Sequence, residues 1–124
     1  YKNIEDYFKD KKIKSNLNSL VLGVTFKENC PDIRNSKVFD LIKNLNKNFE
    51  VDVYDPYASK DEVFEKYKIN LKNYNQLSNN YDCIVVAVSH LEFLNIDVES
   101  LSRNKNSLVY DLKGIFDNKK FMRL

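Results

Sequence analysis

Two apolar runs constrain this chain more than anything else in it: "SLVLGV" at 19–24, nearly continuous Leu and Val, and "DCIVVAV" at 82–88, rich in β-branched residues. A strand with one face in water alternates apolar with polar residues. A continuous apolar run of strand length instead belongs in a sheet covered on both faces. Three weaker segments join them. "EVDVYD" (50–55) alternates and closes on the turn pair Asp55-Pro56, "INL" (69–71) reads as a brief third strand, and "SLVYDL" (107–112) as the last. Helical spacing lies between. Val38, Leu41, Ile42 and Leu45 follow the helical period, with Asn35 or Ser36 available as a cap. Val63, Phe64 and Tyr67 suggest a short helix, "HLEFLNIDVESL" is helical in part, and Ile4, Tyr7, Phe8 and Lys11 read as the end of an amphipathic helix. Strands alternating with helices across short connections imply a parallel sheet with helices on both faces. The expected architecture is α/β, a three-layer, open, doubly wound sheet of about five strands in the order 3-2-1-4-5.

Composition narrows the function classes. The 124 residues suit one domain, and 20 basic against 18 acidic side chains give a net charge of +2. That balance argues against nucleic acid, whose binders concentrate basic residues, but leaves a local anion site open. Cys30 and Cys83 are too few for a disulfide scaffold, and with a single histidine no metal site is expected. The charged opening "YKNIEDYFKDKKIK" is not a signal peptide, and no apolar run approaches the length needed to span a bilayer. A cytoplasmic location without membrane contact is the expectation. The chain opens on Tyr1 rather than Met, which points to a piece of something longer.

In a doubly wound sheet, ligands sit beyond the carboxyl ends of the strands, where chain order reverses. The residues there are Phe26 and Lys27, Asp55 and Tyr57, Ser89 and His90, and Asp111 and Lys113. Lys27, Arg34, Lys37 and Lys113 are placed to face one crevice, beside a helix that starts near Ser36. Cations at a helix N-terminus oppose its dipole, unless an anion joins them, so the pattern suits phosphate. Bland readings compete. Such charges are often only solvated, and Arg34 is equally placed to pair with Asp32 or Asp40. His90 fits a capping or surface residue better than a catalyst. Cys30 fits an incidental thiol better than a reactive one, and Cys83 fits the core. Asp55 stands where dinucleotide folds place a ribose-binding acid, yet no second loop glycine follows Gly23, so an ordinary dinucleotide site is not expected.

Taken in order, "LGVTFKENCPDIRNSKVFDLI", "VDVYDPYA", "YDCIVVAVSHLEF" and "VYDLKG" resemble the C-terminal UDP-binding domain of the UDP-glucose/GDP-mannose dehydrogenase family. The wording "FKENCPDIRNS" is similar to the branch acting on UDP-N-acetylhexosamines for capsule, Vi-antigen or O-antigen synthesis. The resemblance implies a Rossmann-like domain over residues 18–124, with residues 1–17 as the tail of a connecting central helix. It implies the substrate-nucleotide-binding part of an NAD-dependent, homodimeric nucleotide-sugar 6-dehydrogenase. Such enzymes oxidise the sugar C6 alcohol twice, with two NAD and a cysteine that forms a thiohemiacetal and then a thioester. That cysteine belongs to a Gly-x-Cys-x-Pro-Lys segment that nothing here matches. No catalytic residue is therefore assigned, and this piece alone is expected to be inactive, with NAD held mainly by an N-terminal domain.

Residue by residue, the resemblance implies that Phe26, Lys27 and Lys113 contact the UDP-sugar and that Arg34 reaches the NAD pyrophosphate. Asp32 and Ser36 would shape the loop and cap the helix. Asn35 departs from the family's frequent glutamate. The competing function is a stand-alone nucleotide-binding or regulatory module without catalysis. A receiver-like module, however, should cluster acids where this chain places Phe26 and Lys27. A purely structural interaction domain is the third reading.

Overall fold

The computed structural model describes residues 4, 6, 7, 17–104, 107–116 and 121–123. Strand β1 spans Leu17–Leu22, β2 Phe49–Tyr54, β3 Cys83–Val86 and β4 Leu108–Asp111, and a two-residue strand β5 covers Met122–Arg123. All neighbours pair in parallel, in the order β2-β1-β3-β4-β5. Helix α1 (Val38–Leu45) links β1 to β2, and α2 (Lys60–Tyr67) follows β2. A 3-10 turn at Leu91–Asn95 and the short α3 (Val98–Leu101) link β3 to β4.

Apolar continuity in the strands follows from two cores fed by alternate residues. Val21 of β1, Cys83 and Val85 of β3 and Tyr110 of β4 pack on one face with Phe39, Ile42 and Leu45 of α1 and Val63 of α2. Leu20 and Leu22, Ile84 and Val86, and Val109 pack on the other with Phe93, Ile96 and Val98. Side chains alternate across a strand, so a strand covered on both faces has no room for a polar stripe. Ile4 is 2% exposed and joins the first core. Tyr7 is helical and packs half-buried against the same core, while Phe8 and Lys11 of the expected N-terminal helix lie outside the described residues.

The expected order 3-2-1-4-5 is overturned. Residues 69–71 form no strand: α2 ends at Lys68 in the left-handed region, and only Lys72 N–H reaches β2, at Val53 O (2.8 Å). Leu71 is buried and Ile69 packs on the core without pairing. The chain then turns into a 3-10 segment at Tyr74–Gln76, held by a reciprocal cap between Asn73 and Gln76, before any ladder can form. Among the described residues the sheet therefore ends at β2 on this side, and β5 extends it on the other. Chain order reverses between β1 and β3, while every strand keeps the same direction, and that is the line along which a crevice opens.

Gly23 makes the exit from β1 possible. Its φ is +97°, and a Cβ there would lie 2.6 Å from Val88 Cβ, so β1 and the segment after β3 meet across a bare backbone. No helix among the described residues is long and apolar enough to cross a membrane.

Candidate functional site

A cleft of about 560 Å³ opens over the reversal point. Its walls come from the segment after β1 (Thr25, Phe26, Lys27, Glu28), the entry to α1 (Asn35 to Val38, and Leu41) and the ends of β3 and β4 (Ala87, Val88, Leu112, Lys113). Lys27, Lys37 and Lys113 bring three cations to it against one acid, Glu28, and all three lysines are exposed. Phe26 stands beside them with 58% of its surface exposed, where an apolar ring gains nothing from water.

Each lysine is held by backbone geometry. Thr25 Oγ1 donates to the Lys27 carbonyl (2.8 Å), and Phe26 N–H closes the loop on Asp32 O (2.6 Å). Lys113 sits in a turn built on Asp111, whose carboxylate accepts from Ile115 N–H (3.1 Å) and Phe116 N–H (2.9 Å) while Gly114 takes φ +63°. Lys37 occupies the N-cap position of α1 without a side-chain cap bond. Ser36, expected to cap the helix, only accepts from Val38 N–H at 3.4 Å. Asn35 takes φ +60°, a conformation asparagine adopts more readily than most residues.

Arg34 is not among the residues lining the cleft. Its guanidinium donates Nε and Nη2 hydrogens to both oxygens of Asp32 (3.0 and 2.9 Å), and its backbone N–H adds a third bond at 2.9 Å. Those hydrogen bonds from Arg34 hold the Asp32 carboxyl down at about 2. The pair is a local fork–fork ion pair, with the Arg34 side chain 76% exposed.

Beneath the cleft lies a polar network that composition and periodicity did not single out. His90 is completely buried, with Nε2 2.9 Å from Asp55 Oδ2 and 3.1 Å from Thr25 Oγ1. Asn29 N–H donates to its Nδ1 at 2.9 Å. Asp55 also accepts from Val24, Tyr57 and Ala58 N–H at 2.8 to 3.1 Å. Burial disfavours the Asp55 carboxylate, but the bonds from His90 and from the Val24 and Tyr57 backbone outweigh it and bring the group below its ordinary value. The one legible sign was position: an acid ending β2 and a histidine following a buried run.

Both cysteines stand apart from this chemistry. Cys30 is half-buried in the loop, while burial in β3 pushes the Cys83 thiol up to about 12. Among the described residues no group of three or more His, Cys, Asp or Glu could hold a metal ion.

An open parallel α/β sheet with converging lysines at its reversal point defines a domain suited to a phosphate-bearing ligand. Comparison with known proteins makes the class specific. Residues 20–118 match the model of the UDP-glucose/GDP-mannose dehydrogenase family, UDP binding domain, and the chain belongs to that family. A UDP-N-acetyl-D-glucosamine 6-dehydrogenase of Pseudomonas aeruginosa is 39% identical over 104 residues, 82% of this chain and 24% of that protein. The enzyme of the same name from Salmonella typhi is 42% identical over 100 residues, 77% of this chain and 23% of that protein. The chain thus spans about a quarter of the length of these curated relatives. The solved structure of a UDP-D-ManNAc dehydrogenase from Pyrococcus horikoshii shares the fold, with a TM-score of 0.73 at 24% identity. The match covers 97% of this chain and 28% of that one.

Proposed function

We infer that the lysine cleft binds the uridine diphosphate part of a UDP-N-acetylhexosamine, as one domain of an NAD-dependent nucleotide-sugar 6-dehydrogenase. The observation that carries this reading is the convergence of Lys27, Lys37 and Lys113 on one cleft at the ends of β1, β3 and β4. Lys27 and Lys113 supply point charges to the diphosphate, and the exposed Phe26 ring offers an apolar surface to the nucleoside. Holding the nucleotide here contributes binding energy far from the reacting carbon, which orients C6 rather than merely retaining substrate. The family match and the two 6-dehydrogenase relatives support the same assignment. Residues 18–124 form the binding domain in this reading, and residues 1–17 the tail of the connection to the rest of a homodimeric cytoplasmic enzyme.

NAD would accept a hydride from C6 in each of the two oxidations. The residues here fit only its pyrophosphate. Arg34 is exposed and commits Nε and one Nη2 hydrogen to Asp32, which leaves donors for a phosphate oxygen. With Gly23 the single glycine in the loop between β1 and α1, the larger share of the cofactor site belongs to a glycine-rich domain outside these residues.

Charge reversal tests the reading. A lysine–phosphate contact contributes roughly 1.5–3 kcal/mol, so Lys27→Glu in the full-length enzyme should raise KM for the nucleotide sugar about tenfold or more. An unchanged KM would remove Lys27 from the site.

A further inference from the structure

Asp55 and His90 do not line the cleft, yet they join its loop to the ends of two strands. We propose that they are positioning residues for the nucleotide loop. Asp55 fixes the His90 tautomer, and the lone pair left on Nδ1 holds the Asn29 backbone, so that Phe26 and Lys27 stand at the cleft before ligand arrives. This rests on the reading that the cleft takes UDP.

The tautomer follows from the partners. Thr25 gives its hydroxyl hydrogen to the Lys27 carbonyl (2.8 Å), so its oxygen can only accept at Nε2. The Asp55 carboxylate, below its ordinary value, also only accepts. Both require hydrogen on Nε2. Asn29 N–H, aimed at Nδ1 from 2.9 Å, requires a lone pair there. A single neutral form of the ring satisfies every partner.

The loop is then pinned on both sides of Lys27. Ahead of it, Thr25 is bound to the ring and Phe26 N–H to Asp32 O. Behind it, Asn29 takes φ +55°, its backbone bound to His90 and its side-chain Oδ1 accepting from Leu91 N–H at 2.8 Å. Tyr57 covers the imidazole at 4.7 Å between ring centroids, Phe93 packs on it at 5.2 Å, and Tyr57 is itself tied to Glu92. Water is kept from a pair whose geometry decides where a lysine stands. A loop already in its binding conformation loses less freedom when it meets a diphosphate.

Two substitutions in the full-length protein separate positioning from mere stability. His90→Gln keeps a donor near Nε2 for Asp55 but offers nothing to Asn29. His90→Asn keeps an acceptor near Nδ1 but does not reach Asp55. UDP affinity, read by calorimetry, should fall about tenfold in His90→Gln and stay within about threefold of wild type in His90→Asn, although His90→Asn melts lower. Amide exchange at Asn29 should quicken about tenfold in His90→Gln alone. Affinity that simply follows melting temperature in both variants would overturn the proposal, as would unchanged exchange at Asn29 in His90→Gln. So would an Nδ1–H signal from His90 in the wild-type nitrogen spectrum. Wild-type protein that ignores UDP would sink the cleft reading alone, because the exchange and tautomer measurements need no ligand.

Discussion

Replacing Asp55 by asparagine removes one oxygen and one charge from the point where β2 meets the nucleotide loop. The side chain is fully buried, and Oδ1 accepts from Tyr57 and Ala58 N–H while Oδ2 accepts from Val24 N–H and His90 Nε2. An asparagine can serve the first pair with its carbonyl. Its amide then faces Val24 N–H and the imidazole hydrogen, donors against donors. Should His90 move its proton to Nδ1, the conflict passes to Asn29 N–H and is not relieved. Two hydrogen bonds to a charged acceptor contribute about 1.5–3 kcal/mol each, and breaking a buried pair typically costs about 3–5 kcal/mol, so Asp55→Asn should lose about 4 kcal/mol. That is a large part of the roughly 5–15 kcal/mol available to a domain of this kind. Urea unfolding at pH 7, followed by circular dichroism, reads the loss as a lower midpoint with unchanged slope. The acid limb carries a second signature. Because Asp55 sits below its ordinary 3.8 in the folded state, its contribution is complete above that value and fades as pH falls through the depressed one. The gap between wild type and variant should therefore be constant near neutrality and narrow below about pH 4. A loss under about 1 kcal/mol at pH 7, or a gap that widens on acidification, would refute the reasoning.

Other substitutions probe the frame around the cleft. Gly23→Ala combines a left-handed backbone with a 2.6 Å clash against Val88 and should cost about 3 kcal/mol in chemical unfolding; an unchanged midpoint would contradict the close approach. Ser19 Oγ is buried on β1 with no conventional hydrogen-bond partner, only the weakly bonding Cys83 thiol beside it, so Ser19→Ala should be neutral or stabilising by up to about 1 kcal/mol. A melting temperature several degrees lower would reveal a partner. A thiol reagent at pH 8, mapped by mass spectrometry, should modify Cys30 in the native protein and Cys83 only after denaturant is added; early labelling of Cys83 would mean that β3 opens locally.

The parallel sheet was legible because its central strands are apolar on both faces, which few other arrangements allow. The edges were not. "INL" carries too few residues for a period, and its apolar side chains bury against the core without a ladder. Met122–Arg123 pairs with β4 over two residues, a length that leaves no pattern to read. The lysines of the cleft were legible because strand ends and a helix start fix where they fall. For Arg34, the ion pair with Asp32 had been an equal reading, and the hydrogen bonds realise it. The Asp55–His90–Asn29 network escaped because its bonds join residues 35 and 61 positions apart and exist only once the loop folds back over β3. Local spacing holds no trace of such closure.

The most direct test of the central claim is an equilibrium titration of the full-length protein with UDP and with uridine, repeated for Lys113→Ala. A lysine-lined diphosphate site should bind UDP at least about tenfold more tightly than uridine, and Lys113→Ala should weaken UDP while leaving uridine nearly unchanged. Equal affinity for the two ligands, or a UDP affinity indifferent to Lys113, would contradict it.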